Sequence, residues 1–189
     1  MDLTASSAGV HAVVGAGIEP NAALVLRGLG GDPEGFYGRQ LTAEHIREAD
    51  LILCMTKRHR DAVLKLSPRS LAITFTLREA GTLLSYLDRD RARNQAWWPQ
   101  PQSTHSGESA VGGLAHGDMV VAALARARAV RAAADGGKGN DDVPDPMGRD
   151  LARFQMIGDA IASRLLPLLV ALTDPFNPVW ATGESGRPA

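Results

Sequence analysis

A chain of 189 residues is the length of one domain with a substantial core. Twenty Lys and Arg against twenty-one Asp and Glu leave no net field to gather nucleic acid or an anionic membrane, and one cysteine excludes an internal disulfide or a thiol-rich metal site. No charged-then-apolar leader opens the chain, and its uninterrupted apolar runs fall short of a bilayer's thickness, so a soluble, cytoplasmic protein is expected.

Short apolar runs alternate with amphipathic segments, the pattern of an α/β domain. After the small-residue segment ASSAG, Val10 to Val14 is expected to end a strand. Pro20 starts a helix through Ala22, Ala23, Val25, Leu26 and Leu29, which Gly30 and Gly31 stop. Thr42 caps a short helix containing His45 and Ile46. Leu51 to Met55 is continuously apolar, as expected of a strand covered on both faces. Arg60 to Leu66 has helical apolar spacing and stops before Pro68; Leu71 to Leu77, rich in β-branched residues, is expected to be a further strand.

Residues 93–118 have no sustained period and form an irregular insertion, in which Trp97 and Trp98 pin the loop or offer a docking patch. A helix and linker follow over 119–140, the helix running from Asp118 to Ala134. Arg126, Arg128 and Arg131 on it form a solvated face in preference to an anion grip. The segment DDVPDPMG precedes a last helix, Leu151 to Leu172, which Pro167 should kink or shorten. Residues 1–172 are thus expected to form one domain, and the Pro-rich tail 173–189 to be disordered.

The run LILCMTKRHRD sets Arg60 six positions after Cys54, the Cys-x5-Arg spacing of a phosphate-gripping loop. Such a loop needs a low-pKa thiolate, converging backbone N–H groups and an Arg holding two oxygens. Converging amides call for glycine or small polar residues, whereas Met55, Thr56, Lys57, Arg58 and His59 fill the interval. Cys54 is therefore judged a small core residue ending a strand.

The order SSAGVHAVVG, an Asn-Ala-Ala helix, GRQLTAEHIREADLILCMTKRHR, LAITFTLREA and DVPDP resembles the low-molecular-weight protein tyrosine phosphatase family. The resemblance runs from Ser6 to about Pro68, over Leu71–Ala80, and over Val143–Leu172. It implies a flavodoxin-like parallel sheet flanked by helices. It also implies hydrolysis of phosphotyrosine or another phosphomonoester through a cysteinyl-phosphate, without metal or cofactor. The family's first, central strand, its Cys-x5-Arg loop and its first helix precede the SAG segment and are not among these 189 residues. The chain is accordingly expected to be N-terminally truncated and inactive as it stands. A start codon assigned too late is preferred over a degenerate relative as the reason.

By the resemblance Asp145 occupies the general-acid position, with Pro146 stiffening its loop. Ser7 matches a serine supporting the phosphate loop, and Arg39 and Gln40 match a segment with a structural role. Phe36 replaces a histidine of the loop network, Met147 an aromatic of the cleft, and Thr56 an acidic residue, so phosphotyrosine specificity is in question. The alternative is a non-catalytic phosphatase-fold protein binding a partner through its insertion. Arsenate reduction is disfavoured because its additional redox cysteines are absent.

Overall fold

The computed structural model describes residues 3–94, 116–135 and 141–173. The expectations for Trp97 and Trp98, for the linker's GGKGN and for the tail beyond Thr173 lie outside the described residues. Helix α1, Pro20–Gly28, is capped by Glu19, whose carboxylate accepts the Ala22 N–H, and it ends before Gly30 at φ +84°. Helix α2, Ala43–Arg47, begins at Thr42, which forms a capping box with His45.

Strand β1, Ile52–Cys54, pairs in parallel with β2, Thr74–Thr76, in the register Ile52 to Thr74, Leu53 to Phe75 and Cys54 to Thr76. Helix α3, Lys57–Leu66, and a 3-10 turn, Pro68–Ala72, connect them. Helix α4, Leu77–Asn94, follows β2 directly; α5 is His116–Asp135 and α6 is Leu151–Thr173. The architecture is a small parallel sheet flanked by helices, and among the described residues that sheet has two strands.

β2 is buried on both faces, as a sheet covered by helices requires. The buried Thr74 hydroxyl is satisfied by the Ser70 carbonyl at 2.7 Å, so burial leaves that donor paired. The main core lies where α4, α5 and α6 meet, and includes Phe75, Leu83, Val120, Leu124 and Leu168. A second cluster joins Ile46, Cys54 and Val63, and a third joins Leu77, Val143 and Ile157. Helix α1 lies close against α6 at Gly158, where a Cβ would stand 2.5 Å from Val25 Cγ1.

Several expectations need correction. Val10 to Val14 is not a strand: only Gly9 bridges to Gln40, a turn follows, and Val13 and Val14 are exposed. The Gln40 side chain holds that turn, accepting from Ala12 N at 3.1 Å and donating to Val10 O at 2.7 Å. The expected strand over Leu71–Leu77 shrinks to three residues, because Pro68 opens a 3-10 turn before it and Thr76 caps α4 after it.

Residues taken for the start of the insertion belong to α4, which runs to Asn94, and α5 starts at His116. Pro167 does not shorten α6, which continues to Thr173. By length and composition α6 is apolar enough to cross a bilayer, which scanning for uninterrupted apolar runs overlooked. Here it packs on α1, α4 and α5, burying Phe154, Ile157, Leu168, Ala171 and Leu172. Arg128 is half-buried and turned onto the protein instead of lying on a fully solvated face. Its guanidinium lies 4.3 Å from the Phe75 ring centre and donates to the carbonyls of Thr74 and Leu71.

Candidate functional site

The carboxyl end of a parallel strand is where an open α/β sheet presents its ligand-side loops. At the end of β1 the chain passes through Met55 and Thr56 into α3. The Thr56 hydroxyl accepts the His59 N–H at 3.1 Å, and its carbonyl accepts Arg60 N at the same distance. The Lys57 N–H goes to Asp142 Oδ1 at 2.7 Å, so a residue from the far end of the chain completes the helix cap. These amides are committed to capping and to the first helical turn, and do not converge on a common centre.

Cys54 is a free, buried thiol among Ile46 and Val63. Burial pushes it up to about 11; Arg60 pulls the other way, and Glu79 adds to the rise. The Arg60 guanidinium is turned to Glu79, NH1 to Oε2 at 3.3 Å, with both side chains largely buried. Its Nε is buried without a partner among the described residues. Glu79 also closes a capping box with Thr76: Glu79 N to Thr76 Oγ1 at 3.1 Å, and Thr76 N to Glu79 Oε2 at 3.3 Å. Thus Arg60 serves as the tie between α3 and α4.

The segment carrying Asp145 is fastened to the same strand end. Val143, buried, donates its N–H to Met55 O at 2.8 Å. Arg78 NH1 reaches Asp142 O at 3.0 Å, and Lys57 Nζ lies 3.4 Å from Asp141 Oδ2. Beyond this anchor the loop turns outward. Asp145 is exposed, its Oδ1 accepting from Met147 N at 3.0 Å, and Gly148 takes φ +73° to complete the turn. Asp150 then caps α6 by accepting Arg153 N at 3.0 Å. Asp145 lines an open groove with Pro144, Gly148, Arg149, Asp150 and Arg153.

Ser7 is exposed in the segment before the Gly9 bridge, away from any side-chain hydrogen bond among the described residues. The structure therefore brings Asp145's loop to the end of β1, near Cys54's strand, and leaves Ser7 on the surface. Phe36 and Met147 are exposed as well. Sequence reasoning missed Asp142, Arg78 and Glu79; the spacing Thr76-x-x-Glu79 is a capping-box signal that could have revealed the last. Among the described residues no group of His, Cys, Asp and Glu is arranged to hold a metal ion.

The site is thus a parallel sheet between helices, an α/β arrangement with an Asp-Pro loop tethered beyond a strand's carboxyl end. Residues 1–93 match the model of the low molecular weight phosphotyrosine protein phosphatase family. A curated relative, the low molecular weight protein-tyrosine-phosphatase Wzb of Salmonella typhi, is 44% identical over 66 residues, covering 35% of this chain and 44% of that protein. The probable low molecular weight protein-tyrosine-phosphatase AmsI of Erwinia amylovora is 38% identical over 63 residues, 33% of this chain and 44% of its own length. The chain thus aligns with less than half the length of these relatives.

Among solved structures, the tyrosine phosphatase AmsI of Erwinia amylovora superposes with a TM-score of 0.52 at 18% identity, over 88% of this chain and 72% of that one. The arginine phosphatase YwlE of Geobacillus stearothermophilus gives 0.51 at 19%, over 96% and 79%. At such identities the likeness is one of fold. It supports the flavodoxin-like reading and extends beyond residue 93, where the family match stops.

Proposed function

We propose that this chain is part of a low-molecular-weight protein tyrosine phosphatase, a cytoplasmic hydrolase of phosphotyrosine or a related phosphomonoester, and that it does not catalyse by itself. The observation that carries the reading is the tether of the DDVPDP segment to the end of β1 through Val143, Asp142, Lys57 and Arg78. It supports the reading because it ties the loop that carries Asp145 to the sheet's carboxyl edge, where open α/β sheets take their ligands.

Each role follows from the chemistry. A phosphoryl group passes from the phenolate oxygen to a thiolate, and the leaving oxygen needs a proton. Asp145, exposed at the groove, supplies it, and afterwards takes a proton from the attacking water. The thiolate comes from a Cys-x5-Arg loop outside these 189 residues. Cys54 is the wrong group for it, being buried and pushed up to about 11. Ser7 would support the added loop from the adjacent segment. The likeness to an arginine phosphatase as well as to a tyrosine phosphatase keeps the leaving atom, oxygen or nitrogen, as the point to test.

The test joins an apolar strand, a Cys-x5-Arg-Ser loop and a helix from a relative to the N-terminus of this chain. The fusion should hydrolyse p-nitrophenyl phosphate. Asp145→Asn should lower kcat by about 10²-fold or more, and most strongly for substrates with poor leaving groups. A folded, active fusion indifferent to Asp145→Asn would remove the acid assignment. If the folded fusion is inactive throughout, the second reading stands: a non-catalytic protein of the phosphatase fold that binds a partner.

A further inference from the structure

We infer that the outward face of α3, together with the turn at His11, is a docking surface for an acidic segment of a polypeptide partner. Four basic side chains, His11, Arg58, His59 and Lys65, line one pocket there with Val10 and a single carboxylate, Asp61. All five charged or titratable side chains are exposed.

The helix divides its cations by face. Positions 58, 61, 62 and 65 follow the i, i+3, i+4, i+7 spacing of one helical stripe, and that stripe points outward. The inward cations are matched by carboxylates: Lys57 by Asp141 at 3.4 Å and Arg60 by Glu79 at 3.3 Å. Neither Arg58 nor Lys65 has an ion-pair partner among the described residues. In a chain whose charges otherwise cancel, that surplus is a local departure.

His11 joins this stripe from a distant part of the sequence, and its position is built. Gln40 grips the backbone on both sides of it, at Val10 O and Ala12 N. The same turn leads into Val13 and Val14, which are 76% and 70% exposed. Basic side chains that share their pocket with Val10 and Ala62 suit a peptide with carboxylates and an apolar residue, where a bare anion would use only the charge. The surface is independent of the catalytic reading, since binding to it needs no nucleophile.

The experiment measures fluorescence anisotropy of a labelled Glu-rich peptide with one central Leu on the full 189-residue chain, against the same peptide with Gln for Glu. The Glu peptide should bind and the Gln peptide should not, and affinity should fall as salt rises. Arg58→Glu with Lys65→Glu should weaken binding about tenfold, while Asp61→Asn should strengthen it about twofold to fivefold. Circular dichroism checks that each variant keeps its helix content, and Asp61→Asn tests the surface where charge reversal disturbs the fold. Equal binding of the two peptides, an affinity unmoved by Asp61→Asn, or capture of anionic vesicles without the Glu peptide would overturn the inference.

Discussion

The ionisation of Cys54 offers a quantitative check on how this region is built. A thiol pushed up to about 11 from its ordinary 9.0 is almost wholly protonated at neutral pH. At pH 8 the thiolate fraction should be about one in a thousand, against about one in ten for an unshifted thiol, so alkylation should be about a hundredfold slower. Burial among Ile46 and Val63 slows it further by denying the reagent access. The assay is the rate of iodoacetamide modification of the folded chain between pH 7 and 11, read by mass spectrometry with a urea-unfolded control.

The same shift has a sign for stability. The thiol ionises at lower pH in the unfolded chain than in the folded one. Its contribution is therefore complete below about pH 9 and is lost as pH rises towards 11, amounting to about 2 to 3 kcal/mol. The difference in unfolding free energy between the native chain and Cys54→Ala should change by that amount over this window, which cancels the tyrosines and lysines that titrate there too. Rapid alkylation of the folded chain at pH 7, with a midpoint well below 9, would refute the reasoning.

Two further perturbations probe the tether. Asp142→Ala removes the acceptor at the start of α3 and should cost about 1 to 2 kcal/mol in urea unfolding, with faster hydrogen exchange at Lys57 and Val143. Glu79→Ala leaves the Arg60 charge half-buried and unmatched and Thr76 N–H without its acceptor, so a loss of about 3 kcal/mol is expected. Arg60→Met combined with Glu79→Met should recover much of that loss, measured by the same denaturation.

The fold was legible where local signals and tertiary packing agree. Pro20 with Gly30 bounded α1, Thr42 announced α2, and the apolar run at Leu51–Met55 became β1. It was illegible where local chemistry cut a plausible strand short. Val10–Val14 has strand composition, yet Gln40 binds the backbone as a turn and leaves the valines in solvent. Leu71–Leu77 has strand composition too, but the capping box of α4 claims its end. Arg128 looked like surface because its neighbours on α5 are alanine and arginine; only the fold brings Phe75 beneath it.

The site divides in the same way. The turn at Asp145 was reachable through the Asp-Pro motif, since it is local: Asp145 accepts from Met147 two residues on. The tether was not, because Lys57 and Asp142 stand 85 residues apart and no periodicity links them. The Cys-x5-Arg spacing was legible, but the surroundings of its two ends were not. Its residues form a strand end and a capped helix, in which Arg60 answers to Glu79.

Phosphatase assays of the unmodified chain decide most directly whether sulfur chemistry resides in these residues. With p-nitrophenyl phosphate at neutral pH, the folded 189-residue protein should release no p-nitrophenolate above the buffer rate, and Cys54→Ser should match it. Turnover by the native chain that vanishes in a folded Cys54→Ser variant would mean that the buried thiol is the nucleophile after all.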